Sequence, residues 1–168
     1  MDPNARSAPA PIASSSHEER TIDRVIRLAF AGRRDRFEAF VAALRRVTPP
    51  GVQVILRGSA VTGARWGDGA PFDADGPGTS DLDVTFIGAQ MIGHWEAFYI
   101  PGMHTVPLSD EHPDACPLFV PLRRKLSRLA RRPVNLQATT NLVQYARDVL
   151  FDQPYYTLLH KEEASEEP

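Results

Sequence analysis

The chain has 168 residues, of which 42% are apolar and 24% charged, a balance that fits one ordinary globular domain and excludes a fibrous or wholly disordered protein. Its formal net charge of −2 supplies no general electrostatic pull toward nucleic acid or an anionic membrane. A single cysteine, Cys116, excludes an intrachain disulfide, and no run approaches the roughly 20 apolar residues of a membrane span, so a soluble, cytoplasmic protein without a membrane partner is expected.

Residues 1–16 are rich in Pro, Ala and Ser and bury too little apolar area to offset chain entropy, which predicts a disordered leader. Ser16 followed by Glu19 has the spacing of a capping box, and Ile22, Val25, Ile26 and Ala29 recur on one helical face. The pattern resumes after Gly32 with Phe37, Phe40, Val41 and Leu44, so two helices or one helix broken at Gly32 are expected, ending at Pro49-Pro50-Gly51.

Val52 to Leu56 reads as a strand that runs into Arg57-Gly58-Ser59, with a short helix expected over Ala60 to Arg65. Gly67 to Ser80 is too dense in glycine and proline for anything but a loop. Asp81 to Ile87 alternates with a period of two, placing Leu82, Val84 and Phe86 on one face and Asp81, Asp83, Thr85 and Ile87 on the other. Gly88 to Pro117 has no clear period and its structure stays open. Leu118, Leu122, Leu126 and Leu129 make a helical stripe stopped by Pro133. A third strand over Val134 to Ala138, a helix with Leu142, Ala146, Val149 and Leu150 inward, and a last strand over Tyr155 to Leu159 complete a domain spanning 17–160. The remaining residues, 161–168, form an acidic tail that carries −3 and leaves the body nearly neutral.

Carboxylates at i and i+2 of a strand project from the same face, about 7 Å apart at roughly 3.4 Å per residue. Asp81 and Asp83 therefore suit a hard divalent cation, Mg²⁺ or Mn²⁺, which takes carboxylate oxygens together with substrate phosphates. At the end of the preceding strand, Gly58 lets backbone approach a phosphate, and a helix starting at Ser59 would present free amides and a hydroxyl to the same anion.

The run Leu56-Arg57-Gly58-Ser59, followed after a spacer by Ser80-Asp81-Leu82-Asp83-Val84, resembles the Gly-Ser and Asp-x-Asp signature of the DNA polymerase beta-like nucleotidyltransferases, particularly their minimal bacterial and archaeal members. The resemblance spans residues 37–159, though only the two motifs are specific. It implies an α/β (α+β) fold, a small mixed β-sheet flanked by helices. It also implies nucleotide binding at Gly58, Ser59 and Ser80, metal binding at Asp81 and Asp83, and Mg²⁺-dependent transfer of a nucleoside monophosphate from a nucleoside triphosphate to an acceptor hydroxyl with release of pyrophosphate. The acceptor, whether protein, RNA or small molecule, is not specified, and a helical partner protein is consistent with the minimal members.

Two departures stand out. The spacer from Ala60 to Ser80 is 21 residues, longer than usual in the minimal members, and its composition suggests an inserted flexible loop. Where the family places a third carboxylate, this chain reads Val134-Asn135-Leu136-Gln137. An amide offers a carbonyl oxygen but accepts no proton near neutral pH, so the alternative is a catalytically impaired nucleotide-binding or partner-docking module, antitoxin-like, of the same fold. Asp73, Asp75 and Glu96 are the acids available to substitute.

Other signals are weaker. Asp73-Ala74-Asp75-Gly76 lacks the remaining ligands of a calcium loop and reads as a turn. His104, His112 and Cys116 match no zinc spacing and are expected on an irregular surface segment. The cluster from Arg123 to Arg132 is expected to be a solvated helix face rather than a phosphate contact, and Trp66 and Trp95 are expected to be packing residues.

Overall fold

The computed structural model describes residues 15–162. Residues 1–14 and 163–168, which hold most of the expected leader and acidic tail, lie outside the described residues. Helices α1 (Ser15–Ala29) and α2 (Arg34–Val47) meet at a sharp reversal where Ala31 and Gly32 both take positive φ and the N–H of Gly32 returns to the carbonyl of Ile26. The break predicted at Gly32 is therefore present. Ser16 lies inside the first turn of α1 rather than before it.

Four strands follow: β1 (Gln53–Arg57), β2 (Leu82–Ile87), β3 (Val134–Thr139) and β4 (Tyr155–His160), arranged β3-β2-β1-β4. β1 is antiparallel to both of its neighbours, while β2 and β3 are parallel. The sheet is thus mixed and flanked by helices, the α+β architecture expected from the sequence. Helices α3 (Ser59–Thr62), α4 (Ala89–Ile92), α5 (Val120–Ala130) and α6 (Leu142–Asp148) fill the connections. Lys161, assigned to the tail by composition, is tied to the sheet: its N–H donates to Val52 O and its Nζ to Thr48 O.

The period-two pattern decides the two faces. Val54, Leu56, Leu82, Val84, Phe86, Val134, Leu136 and Ala138 are all buried against α1, α2 and α5, where Phe30 meets Phe37 and Phe40 edge-on. Each such large side chain contributes about 1.5–3 kcal/mol on burial. The opposite face is only half covered. Tyr145 and Leu150 of the α6 region pack over Ile55 and Ile87 in a smaller core, leaving the sheet end at Asp81 and Asp83 uncapped.

A parallel β2–β3 pair needs a long crossover. Part of that crossover is the segment with no readable period, and the structure explains why it has none. Residues 103–108 run antiparallel along the free edge of β3 through bridges His104↔Thr139 and Leu108↔Leu136 and the bond Thr105 N–H to Ala138 O. Pairing is intermittent, which accommodates Pro107 and removes an open sheet edge. The α5 stripe also shifts. Leu118 falls in a 3₁₀ turn (Pro117–Phe119) and is 61% exposed, while Phe119 is buried in its place. The helix begins after that turn, with Pro121 in its first turn where a missing N–H costs nothing.

Candidate active site

The register of the sheet aligns Tyr155, Arg57, Asp83 and Asn135 as one row across all four strands. This row lies on the face that α6 covers only lower down. There, the Tyr145 hydroxyl donates to Gln137 Oε1 at 2.9 Å and lies 2.9 Å from Thr85 Oγ1. Burial raises the Tyr145 pKa, partly offset by Arg57 and Thr85, so the hydroxyl stays a neutral donor. The floor of the site is thus a satisfied polar network beneath a row of charge.

Asn135 faces both aspartates. Its Nδ2 donates to Asp81 Oδ2 at 2.7 Å and to Asp83 Oδ1 at 3.0 Å. Arg57 Nη1 approaches Asp83 Oδ2 at 3.4 Å, while Arg57 Nε is buried with no hydrogen-bond partner. Burial opposes the Arg57 charge, but Asp83, Tyr145 and Asp81 outweigh it and raise its pKa. Burial and the neighbouring Asp83 charge raise the Asp81 carboxyl above the ordinary aspartate value, against the Asn135 hydrogen bond and Arg57.

Gly58 sits beside this cluster. It ends β1 at φ +84°, and a Cβ placed on it would lie 3.5 Å from Asp83 Oδ2. Gly58 and the Asp83 carboxylate are therefore neighbours across the β1–β2 pair. The single turn of α3 then closes on Gly58 O through the amides of Val61 and Thr62. Ser80, expected at the nucleotide, is committed elsewhere: its hydroxyl accepts from Asp73 N–H at 2.8 Å and its carbonyl accepts from Arg132 at 2.8 Å.

Those bonds belong to a device that the composition of the loop concealed. Asp73 takes φ +59°, and its carboxylate accepts from Gly78 N–H, Ser80 N–H and both terminal nitrogens of Arg132. The Arg132 guanidinium also stacks 4.5 Å over the Phe72 ring and bonds Ala29 O and Leu28 O. Burial works against the Asp73 charge, but Arg132 and the two amides hold its pKa well below the usual carboxylate range. The long spacer is accordingly pinned to the end of α1 and the turn before β3, not free. Neither of the candidate acids of this loop lines the Asp81 cleft: Asp73 is consumed by the clamp, and Asp75 is exposed and pairs with Arg65 at 3.0 Å. Glu96 sits on the crossover ahead of a 3₁₀ turn (Ala97–Tyr99) and is not part of the Asp81 cleft.

Sequence reasoning missed the groups that do reach the site. A cleft of about 400 Å³ opens at Asp81 and Asn135, and its other wall carries Ser109, Asp110, Glu111 and His112, which follow the strap formed by residues 103–108 along β3. No periodicity marks these residues; only the strap's path brings them near. Cys116, expected at the surface, is fully buried, donates to His94 O at 3.1 Å and has its thiol pushed up to about 11 by burial. His104 bonds Thr139 Oγ1 at 2.7 Å. Trp95 packs as expected with its indole N–H on Val106 O, whereas Trp66 is 57% exposed in a cleft beside α3 that Arg24, Val61, Thr62 and Tyr155 also line.

Among the described residues no three His, Cys, Asp or Glu side chains gather into a metal-binding group. The donors at the site are two carboxylates and one amide, a set that suits a hard cation drawing its remaining ligands from phosphate and water. No family model matches this chain, and no curated protein or solved structure matches it either.

Proposed function

We propose that the protein is a nucleotidyltransferase that moves a nucleoside monophosphate from a nucleoside triphosphate, such as ATP, to an acceptor hydroxyl and releases pyrophosphate. The observation that carries this reading is the register Arg57–Asp83–Asn135, which sets the Gly58-Ser59 turn against one carboxylate and the Asn135 amide against both.

Asp81 and Asp83 would hold Mg²⁺ or Mn²⁺, with the Asn135 amide oxygen as a third donor after rotation of its amide. The bound cation would neutralise charge on the transferring and leaving phosphates. Gly58 and Ser59 would take the phosphates through backbone and hydroxyl, and Arg57 lies close enough to Asp83 to hold that carboxylate in place. Asn135 accepts no proton, so the acceptor's proton must leave by another route. The His112 imidazole in the wall of the same cleft is the group suited to receive it.

A second reading is favoured by one specific observation. The Asn135 amide donates to both carboxylates, so the cluster is satisfied without a cation, as in a module that binds nucleotide or a partner without turnover. Thermal unfolding with each of four nucleoside triphosphates, with and without Mg²⁺, tests the shared premise. Ligand at 100 times its dissociation constant should stabilise the protein by about 2.7 kcal/mol, and Asp81→Ala with Asp83→Ala should abolish the metal-dependent part. No shift with any nucleotide removes transfer and nucleotide binding alike and leaves the partner-docking module as the reading. A shift without pyrophosphate release in the presence of candidate acceptors selects the second, and Gln at His112 should slow release while leaving the shift intact.

A further inference from the structure

α5 carries Arg123, Arg124, Lys125 and Arg128 and no acidic residue. A solvated face normally relieves such density with carboxylates three or four positions away, and like charges at i and i+4, as at Arg124 and Arg128, cost a few tenths of a kcal/mol. The structure separates these cations into two kinds. Arg123 and Arg132 are drawn inward, 13% and 7% exposed: Arg123 bonds Val134 O and Asp110, and Arg132 closes the Asp73 clamp. They are structural and not the solvated face that the sequence suggested.

Arg124 and Arg128 are exposed, sit about 6 Å apart along the axis, and have no carboxylate partner among the described residues. Both line a groove of about 650 Å³ between α5 and the strap, to which Ser127 also contributes. That groove and the cleft at Asp81 and Asn135 share Asp110 and Pro133 in their linings, so the two lie side by side. Asp110, the carboxylate at their junction, is already neutralised by Arg123 at 2.7 Å.

We propose that this groove binds the phosphodiester backbone of a single-stranded nucleic acid, with Arg124 and Arg128 on successive phosphates and the strand's end delivered to the Asp81 cleft as the acceptor. Its description as an acceptor rests on the transfer reading; the binding does not. Two forked cations a helical turn apart, in a groove that adjoins the Asp81 cleft, fit a ligand with several phosphates in a row better than a single phosphate. The chain's net charge of −2 means that no broad field assists, so the contact is local and its affinity depends steeply on salt.

Fluorescence anisotropy of a labelled oligouridylate of about ten nucleotides, and of its deoxy counterpart, tests this across a salt series. Wild type should bind, and Arg124→Gln with Arg128→Gln should weaken binding at least about tenfold. The same variant should reduce the slope of log K against log salt by about 1.4, two phosphates at roughly 0.7 each. Asp81→Asn with Asp83→Asn should bind the strand at least as well as wild type. Binding of both oligomers places recognition in the phosphates, and binding of the ribose form alone adds the 2′-hydroxyl; either supports the proposal. Absent binding, equal binding by the arginine variant, or competition by inorganic phosphate as effective as by unlabelled strand overturns it. Strand binding without a nucleotide-dependent thermal shift would sink the transfer reading alone, and a shift without strand binding would sink this proposal alone.

Discussion

The amide nitrogen of Asn135 lies 2.7 Å from Oδ2 of Asp81, and the same nitrogen reaches Asp83 at 3.0 Å. A neutral side chain thereby does what a cation does elsewhere, allowing two carboxylates to share one end of a sheet. Placing a third carboxylate at this position should reverse that independence. Asn135→Asp replaces two hydrogen bonds with like-charge repulsion, and the melting temperature in chelator should fall. Mg²⁺ or Mn²⁺ should recover it, in a calorimetric titration that shows little metal dependence for wild type. A variant equally stable with and without metal would show that the cluster is not a cation site.

The Asp73–Arg132 pair, 21% and 7% exposed, should be worth more than a surface ion pair. Asp73→Asn leaves the Arg132 charge with weakened compensation and should cost about 2–4 kcal/mol in urea unfolding at neutral pH. Arg132→Met should cost a similar amount, and both should accelerate proteolysis within residues 63–80. An unchanged unfolding midpoint would mean that the loop is held by Phe72 packing instead.

The same carboxylate gives a pH dependence of definite sign. Its folded pKa is depressed, so its stabilisation is complete above the unfolded aspartate value near about 4 and is lost as pH falls through the folded value. Wild type should therefore lose stability on acidification below about pH 4, whereas Asp73→Asn should start lower and fall less over that range. Parallel curves for the two proteins would contradict the assignment.

Gly58→Ala separates backbone from contact. The added Cβ would meet Asp83 Oδ2 at an ordinary 3.5 Å, but φ +84° strains any L residue. The expected loss is about 1–2 kcal/mol of stability, with the metal-dependent nucleotide shift reduced, since the β1–α3 turn would have to readjust beside Asp83. Retention of both stability and shift would show that the turn plays no part in phosphate binding.

Tyr145→Phe removes one hydroxyl from the buried network and leaves Gln137 Oε1 without its donor. The cost should be about 1–3 kcal/mol by equilibrium unfolding. A neutral substitution would imply that water enters beneath the site and replaces the hydroxyl.

Local chemistry made much of this protein legible in its sequence. The position of β2 follows from alternation, the helix break from Gly32, and the shared face of Asp81 and Asp83 from the two-residue repeat of a strand, because each of these depends on neighbours in the chain. Tertiary structure alone decided the rest. That Asn135 lies beside Asp83 depends on a parallel register across a crossover of more than forty residues, and that Asp73 clamps Arg132 depends on two segments meeting 59 positions apart. The segment 103–108, which leads into His112, has no period because its pairing with β3 is intermittent. Alternation and helical spacing report only which face a residue shares with its near neighbours; which distant charges meet is set by how those faces pack.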